Sequence, residues 1–155
     1  MELADILADG AVLCCTDIKS KRQLFEDLAS RAAEITGLDK ADVLDAISNR
    51  EELGSTGLGN GIAIPHGKVA GLKQVAAVFA RLRTPIEFDA LDDQPVDIVM
   101  MLLAPAGAGA DHLKALSRVA RLLRTESVVD ELRQTDDPAT LHAMLTAPTA
   151  ATFAA

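Results

Sequence analysis

Apolar and polar positions along this chain repeat with two periods, and the change from one to the other marks out its elements. Leu3, Ile6 and Leu7 predict a short helix over residues 2–8, and the apolar run Ala11–Cys15 predicts a short buried strand. Ser20 then stands as an N-cap, with Gln23 three residues on to complete a capping box. Leu24, Leu28, Ala32 and Ile35 follow at helical spacing, and Gly37 supplies the stop. Asp39 caps the next helix, Leu38 is placed to staple onto Val43, and Val43, Leu44 and Ile47 form the inner stripe, with an end near Leu53-Gly54. Arg50 lies three residues past Ile47 and seven past Val43, so it continues the inward stripe where a hydrophobe is expected. Taken by pattern alone, it is a cation complementing the helix C-terminus, its aliphatic stem lying along the apolar face.

Further on, Val75–Leu82 is nearly all apolar and predicts a strand covered on both faces, broken at Thr84-Pro85. Ile86–Leu91 and Val96–Ala104 are expected to pair across a turn at Asp92-Asp93-Gln94-Pro95, with Val96–Leu103 the central strand. Asp111 is read as the N-cap of a third long helix with Leu113, Leu116, Val119, Ala120 and Leu123 inward and Lys114, Arg118 and Arg121 outward. Glu126–Arg133 and Asp137–Leu145 predict two short helices, the second with Pro138 at its first position. Residues 147–155 lack a core pattern and are expected to form a disordered tail, leaving one domain over 1–146. Helices before, between and after apolar strands predict a layered α/β domain, and no internal repeat or interdomain linker interrupts it.

Composition narrows the partners. A chain of 155 residues buries about two-thirds of its unfolded surface, enough for a core without disulfides or metals. With four Phe and no Trp or Tyr, that core must be aliphatic. Fifteen basic against twenty-three acidic residues give a net charge of −8 and no basic run, which argues against nucleic acid and suits a basic protein partner. Cys14 and Cys15 are adjacent and lie outside any zinc-binding spacing, so reduced thiols and a cytoplasmic location are expected. The N-terminus lacks a basic, long apolar leader, and no apolar run approaches the roughly 20 residues that span a bilayer. Membrane insertion is not expected.

The chemistry concentrates in one stretch, Gly54–Gly67, which holds five glycines, Ser55, Thr56 and Pro65 around a single histidine, His66. Ile64 precedes Pro65 and is pushed towards an extended backbone, so His66 is delivered from a stiff step with Gly67 leaving its far side open. A neutral imidazole is a nucleophile, and an unperturbed one is mostly neutral at pH 7. A backbone carbonyl bonded to one ring nitrogen would fix the tautomer and free the other to attack. His112 stands in the first turn of a helix, an end that favours anions, and beside an apolar stripe, where packing alone would also account for it. His142 lies beside Leu141 and Met144 and is expected to be structural. GxxxxGK[ST] does not occur, so the glycines do not predict nucleotide binding. Two histidines are too few for zinc without an evident third ligand, and no metal or other cofactor is expected.

The string Ser55-Thr56-Gly57…Gly59-Asn60-Gly61-Ile62-Ala63-Ile64-Pro65-His66-Gly67 resembles the phosphorylation loop of the IIA proteins of the bacterial phosphotransferase system, in their mannitol/fructose/nitrogen-regulatory group. The resemblance runs from about residue 3 to about residue 145. It implies a PTS EIIA type-2 domain, a mixed β-sheet flanked by helices, with His66 phosphorylated on Nε2, Arg50 as the active-site arginine and His112 as the second active-site histidine. Ser55, Thr56, Gly57, Gly59, Asn60 and Gly67 would support the loop, the two hydroxyls either bracing it or donating to the phosphoryl group. The implied donor is a phosphohistidine on a small HPr-like protein.

Three roles follow for such a protein. A sugar-transport component would pass the group to a IIB domain. A nitrogen-regulatory protein would bind target proteins according to its phosphorylation state. A binding module would have kept the fold and transfer nothing. Intact Arg50, His66 and His112 speak against the last. The lack of a fused IIB, HPr-like or membrane segment, together with the Ser-Thr-Gly-Leu-Gly-Asn-Gly string, leans towards regulation.

Overall fold

A computed structural model describes residues 2–147. In chain order the elements are α1 (Leu3–Ile6), β1 (Val12–Thr16), α2 (Lys21–Thr36), α3 (Lys40–Glu52), β2 (Gly57–Gly59), β3 (Ile62–Ala63), β4 (His66–Val69), β5 (Ala76–Ile86), β6 (Val96–Pro105), α4 (Ala110–Leu123), α5 (Glu126–Arg133) and α6 (Pro138–Thr146). The strands form one mixed sheet in the order β1-β5-β6-β3-β2, with β4 also pairing β6. β5 and β6 are antiparallel, while β1 runs parallel to β5, and both β3 and β4 run parallel to β6.

The sheet is covered on both faces, because β6 is apolar on both. Ile98, Met100 and Leu102 pack with α1, α4, α5 and α6; Val99, Met101 and Leu103 pack with α2 and α3. The aliphatic filling expected from composition is what is seen, with Phe79 and Phe88 as the fully buried aromatic rings. Among the described residues, no helix is long and apolar enough to cross a membrane. Apart from Ala147, the expected tail lies outside the described residues.

Helix punctuation follows local chemistry. Ser20 Oγ accepts from Gln23 N at 3.1 Å, and Gly37 closes α2 at φ 77°. The Gln23 side chain takes the N–H of Lys19, at 3.0 Å, so the reciprocal half of the expected box closes one residue earlier. Asp39 Oδ1 accepts from Ala41 N at 3.0 Å and Asp137 Oδ2 from Thr140 N at 2.9 Å.

Four expectations fail for identifiable reasons. Thr84-Pro85 does not break the strand: β5 continues to Ile86, with a register shift between Arg81 and Ile86. β1 has already ended opposite Leu82, so that end of β5 is an edge, where a missing N–H costs no ladder bond. The pairing partner of β6 is therefore β5, and of the segment Ile86–Leu91 only Ile86 joins the ladder. Third, α4 begins at Ala110 after Gly109, so Asp111 is in the first turn and is not the cap. The inner stripe of α4 is His112, Ala115, Val119 and Leu123, while Leu113 is 66% exposed. Val119 and Leu123 are buried and Leu116 and Ala120 pack against the core as expected, so only Leu113 departs: a histidine, counted as polar, occupies the buried position beside it.

Candidate functional site

His66 opens β4, an edge strand whose residues pair with Leu102–Pro105 of β6. Its register partner Leu102 belongs to the α4 side of the sheet, so His66 and, two residues on, Lys68 face α4, while Gly67 faces α3. The Nδ1 atom of His66 lies 2.9 Å from the carbonyl oxygen of Ile64. A carbonyl can only accept, so Nδ1 carries a proton, and in the neutral ring it is Nε2 that keeps the lone pair. Pro65 lies between the two partners and stiffens that turn.

The His112 ring meets the His66 ring edge-on, with centroids 5.5 Å apart and an interplanar angle of 82°. His112 is buried, and its Nδ1 is the one buried side-chain nitrogen or oxygen among the described residues without a hydrogen-bond partner. A proton there would be an orphaned donor, costing about 1–3 kcal/mol, and unsatisfied acceptors are better tolerated. The proton is therefore assigned to Nε2. Burial first, then the charge of His66 and then that of Lys68, hold the His112 pKa below the ordinary histidine value. His112 is thus a neutral N–H donor beside the His66 ring, the kind of group suited to an incoming anion.

Arg50 occupies the last turn of α3, in the layer opposite His112. That helix packs closely on β4: a Cβ on Gly67 would sit 3.0 Å from the carbonyl of Ala46, one turn before Arg50 on the same helix face. The guanidinium donates to the Gly54 carbonyl at 2.9 Å, tying the helix end to the start of the glycine loop. In this state it is engaged with the loop and with neither ring.

The loop residues brace one another. Ser55 Oγ accepts from Gly57 N at 3.1 Å, and buried Thr56 gives its N–H and its hydroxyl to the Glu51 carboxylate. The Ser55 hydroxyl thus acts within the loop, and that of Thr56 ties the loop to the end of α3. Gly57 is packed against Ala90, where a Cβ would lie 2.7 Å from the Ala90 side chain. Gly59, Asn60 and Gly61 turn β2 into β3 with φ of 95°, 58° and 83°. Asn60 N bonds Asp92, and Asn60 O accepts from Arg133, whose guanidinium also holds Asp97. This turn sits opposite the start of β6, some four residues or roughly 13 Å along the strand from the level of His66. Gly59 and Asn60 thus support the hairpin and lie away from the rings. His142 bonds Leu7 O at 2.9 Å, the structural role expected of it.

Residues 5–147 match the family model described as phosphoenolpyruvate-dependent sugar phosphotransferase system, EIIA 2. The chain belongs to this family. Among its relatives, a nitrogen regulatory protein of Bradyrhizobium diazoefficiens is 46% identical over 150 residues, 97% of this chain and 98% of that one. The crystal structure of the nitrogen regulatory protein IIA-Ntr from Neisseria meningitidis superposes with a TM-score of 0.87 at 38% identity, over 93% of this chain and 99% of that one. The Escherichia coli mannitol enzyme IIA, solved in complex with phosphorylated enzyme IIB, shares the fold alone, at a TM-score of 0.76 and 19% identity over 90% of this chain and 98% of that chain.

In this EIIA domain two contributors escaped sequence reading. Lys68 is exposed and shares the face of His66, and its charge bears on His112; strand alternation from His66 would have found it. Glu51 grips the loop through Thr56. No periodicity announces it, because a charged residue near a helix end normally reads as solvated.

Proposed function

We propose that this EIIA domain is a phosphocarrier that accepts a phosphoryl group on Nε2 of His66 from a phosphohistidine on an HPr-like protein, and that it acts as a nitrogen-type regulator. The observation that carries the reading is the Ile64 carbonyl on His66 Nδ1, which leaves Nε2 as the nucleophile. Its lone pair forms the new N–P bond while the P–N bond to the donor ring breaks, the electron pair returning to the donor nitrogen. The Nε2–H of His112, in edge contact with His66, donates to the arriving oxygens. Arg50, one turn beyond the Ala46–Gly67 contact, supplies the charge that the phosphoryl group requires. A charge-assisted bond of this kind contributes about 1.5–3 kcal/mol. Resemblance to nitrogen regulatory proteins over nearly the full chain supports regulation: target proteins, or a IIB domain, would read the phosphorylated and free forms differently.

Incubation with phosphoenolpyruvate, enzyme I and the HPr-like carrier tests this by intact mass. One added phosphoryl group, lost in His66→Ala, is expected. Well-folded wild-type protein that stays unlabelled with matched carriers would leave a binding module instead. Transfer onward to a IIB domain would favour the transport role.

A further inference from the structure

The Glu51 carboxylate is nearly buried, with its side chain 7% exposed, yet it makes no contribution to the apolar core. It accepts from Thr56 N at 3.2 and 3.1 Å, from Thr56 Oγ1 at 2.5 Å, and from the Lys21 ammonium at 2.7 Å. Lys21 comes from the first turn of α2; it also donates to the Phe88 carbonyl at 3.0 Å and lies 4.3 Å from the centre of the Phe88 ring. Four separate segments, α2, α3, the glycine loop and the stretch after β5, thus converge on one charge pair. Burying such a pair costs desolvation that an apolar pair would avoid, so stability alone is a weak reason for it.

The contacts lead to the reactive ring. Thr56 O accepts from Ile64 N at 3.1 Å, and Ile64 O accepts from His66 Nδ1 at 2.9 Å. Glu51, Thr56, Ile64 and His66 are therefore joined in series, and the carbonyl that selects the His66 tautomer belongs to a residue whose own N–H is held by the Thr56 carbonyl. A carboxylate holds Thr56 through both of its donors at once, which a neutral or single acceptor could not do as firmly.

We infer that Glu51, neutralised by Lys21, is a positioning residue for phosphoryl transfer: it locks Thr56 so that the Ile64 carbonyl keeps the His66 proton on Nδ1. This rests on the reading of His66 as the phosphoryl acceptor, but its first consequence is visible without any transfer.

The test is the ring ¹⁵N spectrum of His66, together with single-turnover transfer from the phosphorylated HPr-like carrier. In the wild type, Nδ1 should show the shift of a protonated nitrogen and Nε2 that of an unprotonated one. In Glu51→Gln the two shifts should approach each other as the tautomers interchange, and the transfer rate should fall about ten- to a hundredfold. Lys21→Arg should keep both near wild type. Leu44→Ala, a half-buried change elsewhere on α3, controls for lost stability and should leave the ring shifts alone. Should Glu51→Gln not fold, Lys21→Met leaves the Glu51 carboxylate nearly buried without its counter-charge, so it takes up a proton or turns to water, its hold on Thr56 loosens, and displaced ring shifts are again expected. Wild-type ring shifts with a rate within twofold, in either folded variant, would overturn the inference. A wild type with the stated tautomer that accepts no phosphoryl group would instead overturn the functional reading.

Discussion

Gly67→Ala probes the seam on which the site is built. Gly67 is buried between β4 and α3, and a Cβ added there would lie 3.0 Å from the carbonyl carbon and oxygen of Ala46 and 3.1 Å from its Cβ. Ordinary contact begins near 3.4 Å, so the surroundings must give by about 0.4 Å. The obstacle is helix backbone, which has no rotamer to change, so α3 as a whole has to move off the strand. Overpacking of this kind costs about 1–3 kcal/mol. Gly67 is outside the left-handed region, so alanine meets no backbone strain and recovers roughly 0.5–1 kcal/mol of glycine's strand penalty. The expected net loss is about 0–2.5 kcal/mol, with a centre a little above 1 kcal/mol that corresponds to roughly 2–5 °C in melting temperature for a chain of this size. Gly107→Ala, where a Cβ meets nothing within 4 Å, is the control and should be neutral or slightly stabilising. Thermal and urea denaturation of both variants measure this, and single-turnover transfer should slow in Gly67→Ala as Arg50 is carried away from His66. A Gly67→Ala protein melting at or above the wild-type temperature would refute the account of a close-packed seam.

Arg50→Ala should slow phosphoryl transfer more than Asp111→Ala, because Asp111 lies in the first turn of α4 without capping it and offers only a helix-dipole contribution of about 0.3–1 kcal/mol; single-turnover rates in the reverse order would count against the assigned roles. His112 has its folded pKa lowered by burial and by the charges of His66 and Lys68, so the unfolded chain takes the proton first as pH falls. The stability it permits is full above the ordinary value of about 6.5 and is lost as pH drops from there through the folded value, so melts of His112→Gln should depend less on pH than those of wild type. Phosphorylation of His66 should raise the His112 pKa, since a neighbouring anion favours the imidazolium; an NMR titration showing no rise would contradict their sharing of one anion. On α4, Leu123→Ala should cost about 2–5 kcal/mol and Leu113→Ser less than about 0.5 kcal/mol in urea unfolding, whereas equal membership of one stripe would give similar losses at both.

The family and the layered mixed sheet are both legible in the linear chain, because each rests on local chemistry. The run Ile62–Gly67 carries its own stiffness, Ser20, Gly37, Asp39 and Pro138 punctuate helices through contacts within a few residues, and the unbroken apolar run of β6 declares burial on both faces. The Asn60-Gly61 hairpin was legible too, in its turn dipeptide, although only extended flanks were expected there. What the chain could not reveal is non-local. Pro85 is tolerated because β1 stops short of it, a fact about another strand. His112 turns inward because a buried position beside His66 awaits it, against the phase that Leu113 suggests. Lys21, thirty residues from Glu51, reaches it only once two helices and a loop have packed together, since whether a charge is solvated or buried is decided by what the fold brings to its side.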